Sequence, residues 1–215
     1  MSLPYLDQLD SERQIVFKKL SSFNDHYALA GGTAIMLQIG HRQSYDFDCF
    51  CQKQPTKQLI NKIKRVFSIT GAPKISTPDM IAFTLPKNIN ISFVWDPYKT
   101  LQKPLITDGI SLYHLDDLAT NKAITIGRRA VWRDYVDMFF FLKRNHFTLQ
   151  QIISLSDKRF GGEFNEKLFI QQLTYFDDIK VVETTFLKES YTPDEIKKYL
   201  QETVRTYLQN TLPIT

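Results

Sequence analysis

Residues 29–50 read LAGGTAIMLQIGHRQSYDFDCF, and this stretch decides the fold. Tyr27–Ala30 is a short apolar run, a strand that enters a tight turn at Gly31-Gly32. Thr33–Ile39 has the length of a short helix, with Gly40 placed to stop it. Tyr45–Cys51 alternates and reads as a second strand. In a strand, residues i and i+2 face the same way, about 6.6 Å apart along the chain. Asp46 and Asp48 therefore share a face. Two carboxylates so placed can hold a divalent ion; two such ions about 3.5–4 Å apart stabilise the entering and leaving oxygens of phosphoryl transfer. Mg²⁺ takes carboxylate, phosphate and water oxygens, so few protein ligands suffice.

A bare D-x-D is more often the polar face of a half-exposed strand. The upstream turn alters that balance. Gly31 and Gly32 let backbone N–H groups approach a ligand, and the helix N-terminus at Thr33 favours anions. Thr33 either caps the helix or bonds a phosphate. An anion site and a cation site thus lie one short helix apart, as a nucleoside triphosphate with Mg²⁺ requires. Between them, Arg42 is either a phosphate contact or an exposed loop cation. Ser44 is either a partner of a phosphate or metal-bound water, or a turn residue. His41 reads as a solvated loop residue.

Outward from this stretch, residues 6–24 have the spacing of an amphipathic helix, and residues 56–67 of another. Three strands are expected at about 66–70, 80–85 and 89–95, with Lys87-Asn88 as a hairpin turn. Ile110–Tyr113 reads as one more short strand. From Leu115 onward the pattern is helical: Leu115–Ile126, Arg133–Arg144, Thr148–Ser154, Glu166–Phe176 and Pro193–Leu212. Thr148 and Thr192 stand as caps. The fold class is α+β: a mixed sheet with flanking helices over residues 1–113, and a helical region over 114–215.

The 215 residues carry a net charge of +4, with 43% hydrophobic and 23% charged residues. That charge permits a nucleotide or nucleic-acid partner without requiring one. The two cysteines, Cys49 and Cys51, are two apart on one strand, a geometry unfit for bonding to each other. A reducing, cytoplasmic setting is therefore expected. The opening MSLPYLDQLD has no basic segment followed by an apolar run, so no secretory leader is expected, and no apolar cluster is long enough to span a bilayer.

Further along, Lys122 falls inside the apolar stripe of Leu115, Leu118, Ala119, Ala123 and Ile126. It is either a lysine snorkelling from the stripe's edge or a cation aimed at phosphate. Asp134 and Asp137 share a helical face among Trp132, Tyr135, Val136, Met138, Phe139 and Phe140. Buried there, an Asp needs a partner, and Lys122, Arg128 and Arg133 are candidates. A structural ion pair fixing one helix to the other is the plainer reading. Arg128, Arg129 and Arg133 are either a phosphate or nucleic-acid contact or a solvated cluster.

GGTAIMLQIGHRQSYDFD (31–48) and LDDLATNKAITIGRRAVWRDYVDMFFFL (115–142) together resemble the AbiEii/AbiGii toxin-type nucleotidyltransferases, a branch of the DNA polymerase β-like superfamily. The resemblance implies a minimal nucleotidyltransferase fold and Mg²⁺- or Mn²⁺-dependent transfer of a nucleotide from an NTP to a hydroxyl. It places Gly31, Gly32 and Thr33 at the phosphates, with Arg42, Ser44 and Asp134 as further binding residues. It supports Asp46 and Asp48 as the metal ligands and Lys122 as a charge neutraliser, and it puts one of Asp134 and Asp137 in the site; Asp137, in the more apolar surroundings, is taken as the acceptor-orienting acid. It also implies a toxin with RNA, such as tRNA, as acceptor, and a cognate antitoxin protein. One departure stands out. Such enzymes usually carry a third carboxylate on a neighbouring strand, where NINISFVWDPY puts Ser92. Asp137 serves instead, or one metal suffices, or the protein binds nucleotide and transfers little. Transfer to a small molecule, such as an antibiotic or sugar, is the alternative within enzymes; an interaction protein is the alternative outside them.

Overall fold

Alternation and helical spacing along the chain translate into five strands and eight α-helices among the residues described, 3–129 and 131–211 of a computed structural model. By its contacts the chain forms two units, Met1–Leu115 and Asp116–Thr215.

The first unit is built on a mixed sheet. Strands β1 (Ala28–Ala30), β2 (Phe47–Cys51), β3 (Ile75–Ser76), β4 (Met80–Leu85) and β5 (Ile89–Trp95) lie in the order β1-β2-β5-β4-β3. Only β2 and β5 run parallel; the other pairs are antiparallel. In β2, Phe47, Cys49 and Cys51 are buried while Asp48 and Phe50 on the opposite face are partly exposed, the alternation expected of a strand with one covered face. Phe93, level with Cys49 on β5, meets Phe23 and Tyr27 on the covered face. Both cysteines are free thiols.

Helix α2 (Gly31–Ile39) follows β1 without a connecting loop. Six of its nine residues are buried, as a helix apolar all round must be. Gly40 closes it in the left-handed conformation at φ 56°, where glycine carries no Cβ penalty. Helix α3 (Lys57–Phe67) buries Leu59 and Ile63 and is closed by Ser68 at φ 54°.

Three expectations change here. The helix foreseen over 6–24 is three pieces: 3-10 turns at Leu6–Gln8 and Leu20–Phe23, and α1 (Ser11–Lys19) between them. Asp10 starts α1 by accepting the Arg13 N–H at 2.8 Å, so the break follows from an N-cap inside the periodic run. The strand foreseen at 66–70 is absent. Val66 and Phe67 end α3, Phe67 stacks on Phe23, and Ile69 N–H returns to the Lys64 carbonyl. The pairing strand is β3 instead. Residues 110–113 contribute single bridges of Leu112 to Leu29 and Leu105 rather than a strand. The 89–95 and 80–85 strands lie where alternation puts them, with Lys87 and Asn88 at positive φ between them.

The second unit is helical: α4 (Leu115–Ile126), α5 (Trp132–Lys143), α6 (Leu149–Phe160), α7 (Glu166–Thr174) and α8 (Pro193–Thr211). Leu212, foreseen as the last residue of α8, lies outside the described residues. Thr148 caps α6 through a reciprocal box with Gln151, which satisfies two of the helix's open N–H groups. Helix α5 is buried at ten of twelve positions. Its Phe139 and Phe140 pack edge-on against each other and against Tyr191, and Phe139 also meets Tyr199. Such ring pairs stabilise by about 0.5–1.5 kcal/mol beyond their buried area.

Candidate active site

Two glycines open α2, and each is required by what leans on it. Gly31 has φ +66°, and a Cβ built there would stand 2.7 Å from Asp48 Oδ2. Any other residue is therefore strained in backbone and blocked by the carboxylate. A Cβ on Gly32 would meet Arg42 Nη2 at 2.8 Å and Ser44 Oγ at 2.9 Å. The bend thus has the acid on one side and the guanidinium and hydroxyl on the other.

The segment 41–46 reaches this place because Gly40 turns the chain back along α2. Thr33 Oγ1 donates to the Asp46 carbonyl and lies 3.0 Å from Ser44 Oγ. Ser44 N–H meets the Met36 thioether Sδ at 3.3 Å. Three readings are corrected by this. Thr33 does not cap α2, since its hydroxyl is committed to the returning segment. Arg42 is not an exposed loop cation: it is 3% exposed, and Nη1 donates to the Gln43 carbonyl at 3.0 Å. His41, foreseen as solvated, is fully buried. Gly-x-Arg placement after a short helix carries no sequence signal of burial, which is why the pattern did not disclose it.

Asp46 and Asp48 stand on one side of the sheet. Asp46 immediately precedes β2 and is exposed; Asp48 is its second residue and is partly exposed. Across the sheet Asp48 is level with Ala30 and with Ser92. Ser92 Oγ donates to Asp48 Oδ1 at 2.6 Å, and Asn90 Nδ2 donates to Asp46 Oδ1 at 3.0 Å. Ser92 thus occupies the rung beside Asp48 where a third acid was sought. Asp96, the next acid along, is buried and bonds Tyr98 N–H and Tyr113 OH. Behind the pair, burial first and the Asp48 charge second push the Cys49 thiol up, so it stays protonated.

The donor set fits a hard divalent cation: two carboxylates on one side, each with one oxygen steadied by a neutral donor, beside a bend rich in N–H groups. No cluster of three or more His, Cys, Asp or Glu suited to a metal occurs among the described residues. Asp46 and Asp48 would be the residues to hold such a cation, with water and phosphate oxygens completing its shell.

In the second unit, Lys122 Nζ lies 2.6 Å from both Asp134 Oδ1 and Asp137 Oδ2. Arg129 adds contacts of 3.1–3.2 Å to Asp134 Oδ2. Lys122 is 8% exposed and Asp137 fully buried. The lysine of the apolar stripe is thus the cation of a buried triad tying α4 to α5, with the exposed Arg129 at its edge. Arg128 instead faces Glu163 at 3.5 Å, and Arg133 is exposed. A second buried pair went unforeseen. Arg159 Nε lies 3.4 Å from Asp117 Oδ1, while its Nη1 donates to Asp117 O, Thr120 Oγ1 and Asn121 Oδ1 at 2.8–2.9 Å. Asn90 and Thr84 were also missed, although the alternation INIS already placed Asn90 and Ser92 on one face.

A model of the nucleotidyl transferase AbiEii toxin family, from type IV toxin–antitoxin systems, matches residues 14–210. The chain belongs to this AbiEii family. The uncharacterized protein aq_aa25 of Aquifex aeolicus is 27% identical over 216 residues, covering 94% of this chain and 99% of that one. Among solved structures, the Mycobacterium tuberculosis nucleotidyltransferase toxin MenT4 superposes with TM-score 0.60 at 12% identity, over 94% of this chain and 83% of that one. JHP933 of Helicobacter pylori gives 0.56 at 16% identity, over 94% of each. At these identities the likeness is one of fold. The AbiEii chain described here therefore has the minimal nucleotidyltransferase fold that residues 31–48 and 115–142 imply. No helix among its described residues is long and apolar enough to cross a membrane.

Proposed function

We propose that this AbiEii-family protein transfers a nucleotide from an NTP to a hydroxyl of RNA, with Mg²⁺ or Mn²⁺, as the toxin of a toxin–antitoxin pair. The observation that carries the reading is the approach of Asp48 Oδ2 to the Gly31 bend. It puts carboxylates and an N–H-rich helix start side by side, as a metal-bound triphosphate needs. The amides of Gly31 to Thr33 receive the β and γ phosphates. Arg42 and Ser44, packed over Gly32, hold the bend in shape and bring positive charge to it. Asp46 and Asp48 hold the cation, which when bound withdraws charge from the α-phosphate. Lys122 and Asp137 enter as charge-neutralising and acceptor-orienting groups, the roles family membership suggests.

An RNA acceptor is favoured over a cationic small molecule by charge. Between Asp48 and Asp79 the chain carries Lys53, Lys57, Lys62, Lys64, Arg65 and Lys74 and no Asp or Glu. Among the described residues none of the six pairs with a carboxylate. Helical spacing gathers Lys57, Asn61, Lys64 and Arg65 on the side of α3 away from buried Leu59 and Ile63. A face of donors without acids suits a phosphate backbone.

The test is incubation with labelled NTPs, Mg²⁺ and total RNA. Label is expected in RNA and absent with Asp46→Ala/Asp48→Ala. Ser92 beside Asp48 favours one competing reading, a protein that binds nucleotide without transferring it. Metal-dependent nucleotide binding with no label in RNA or in small hydroxyl acceptors would establish that reading instead.

A further inference from the structure

We infer that Asn90 and Ser92 are positioning residues, and that β5 serves the carboxylate pair with hydrogen-bond donors in place of a third acid. This rests on the reading of Asp46 and Asp48 as metal ligands. The two contacts sit on successive same-face positions of β5. Ser92 is level with Asp48, and Asn90 is level with Thr84 on β4. Thr84 Oγ1 donates to Asn90 Oδ1 at 2.9 Å. With its oxygen so engaged, the Asn90 amide presents N–H to Asp46 Oδ1 at 3.0 Å. A relay of three side chains thereby fixes an exposed aspartate that would otherwise turn freely about its side-chain bonds.

Ser92 does the same for Asp48 with a different consequence. Its 2.6 Å bond takes Oδ1, in the length range of a charge-assisted O–H···O⁻ bond. Oδ2 is then the oxygen turned to Gly31. Ser92 therefore selects which oxygen meets the glycine bend. An aspartate at 92 would set a second carboxylate against Oδ1 and remove the donor. On this account the serine is a working part of a two-acid site, and Asn90 its counterpart one rung away.

The experiment measures Mn²⁺ affinity of the full chain by loss of the free-ion electron paramagnetic resonance signal, with thermal melts as the check on folding. Variants are Asn90→Ala, Ser92→Ala, Ser92→Thr, Thr84→Val and Asp46→Ala/Asp48→Ala. Loss of groups that orient metal ligands commonly weakens binding about 10–100-fold. Asn90→Ala and Ser92→Ala are expected to weaken Mn²⁺ about tenfold, and Thr84→Val about threefold. Ser92→Thr, which keeps the hydroxyl on a β-compatible side chain, should stay near wild type. If Asn90→Ala and Ser92→Ala bind within twofold of wild type while the double Asp variant does not bind, the positioning role is overturned and the metal site stands. If Ser92→Thr falls as far as Ser92→Ala, packing rather than the hydroxyl is at work, and the role of Ser92 is overturned. A wild-type protein that binds no Mn²⁺ removes the metal site and the positioning role together.

Discussion

Asp48 Oδ2 occupies the space that a side chain on Gly31 would need, at 2.7 Å from its ideal Cβ. Gly31→Ala is therefore expected to incur two penalties. The left-handed backbone costs about 1–2 kcal/mol for a residue with a Cβ, and the carboxylate must move. Gly161 separates the two effects: its φ is +52° with nothing within 4 Å of the built Cβ. Gly161, at φ 52° and ψ −133°, has a backbone that favours glycine, so Gly161→Ala should lower stability in urea by about 1–3 kcal/mol and leave Mn²⁺-dependent NTP binding unchanged. Gly31→Ala should lose stability and the binding too. Equal binding by both variants would contradict the proposed cradle.

The buried Lys122–Asp134–Asp137 triad of the second unit makes a stability prediction. Lys122→Met takes the ammonium from two carboxylates that are 2% and 0% exposed. Breaking one side of such a pair typically costs about 3–5 kcal/mol. Arg129 still contacts Asp134, so the lower end, about 3 kcal/mol, is expected. Lys122→Met/Asp137→Leu should recover much of it, because an apolar pair of similar volume needs no partner charge. A urea midpoint for Lys122→Met equal to wild type would show that the triad contributes nothing to folding.

Reversing charge on α3 tests how the acceptor is gripped. Lys57→Glu/Lys64→Glu/Arg65→Glu should weaken RNA binding and flatten its dependence on salt. Each lost phosphate contact on a single strand lowers the log–log slope by about 0.7, so three contacts amount to about 2. NTP binding should not change. An unaltered slope in the triple variant would leave α3 without a part in RNA binding.

A pH effect follows from the start of α1. The Arg13 backbone N–H chiefly, and its guanidinium next, hold the Asp10 carboxyl below its usual value of 3.8. A depressed carboxylate stabilises the fold above its unfolded value and ceases to do so as pH falls through the folded one. Asp10→Ala should cost about 1 kcal/mol at pH 6, the usual cost of losing an N-cap. The gap between variant and wild type should narrow below pH 4. A gap that is the same in urea melts at pH 6 and pH 3 would rule out the ionised cap.

Much of this was readable before any coordinates. Alternation set β4, β5 and the shared side of Asp46 and Asp48. Helical spacing found α4, and the apolar setting of Lys122 already required acids near it. What stayed hidden depends on contacts distant in sequence. His41 and Arg42 look like loop residues because nothing local shows that Thr33 draws residues 44 and 46 back onto α2. Ser68 closes α3 in a conformation usually taken by glycine or asparagine, so the helix end read as a strand. Asp117 and Arg159 stand 42 positions apart, and neither neighbourhood names the other.

The parallel pairing of β2 with β5 has a consequence for synthesis. Asp48 and its partner Ser92 are 44 residues apart, and parallel strands meet only after such a span has been crossed. A ribosome adds about 5–20 residues each second, so seconds pass between the two aspartates and their donors. During that interval a nascent chain carries the acidic pair without its supports. The bonds that Asn90 and Ser92 make to Asp46 and Asp48 therefore form only once the later strand has docked.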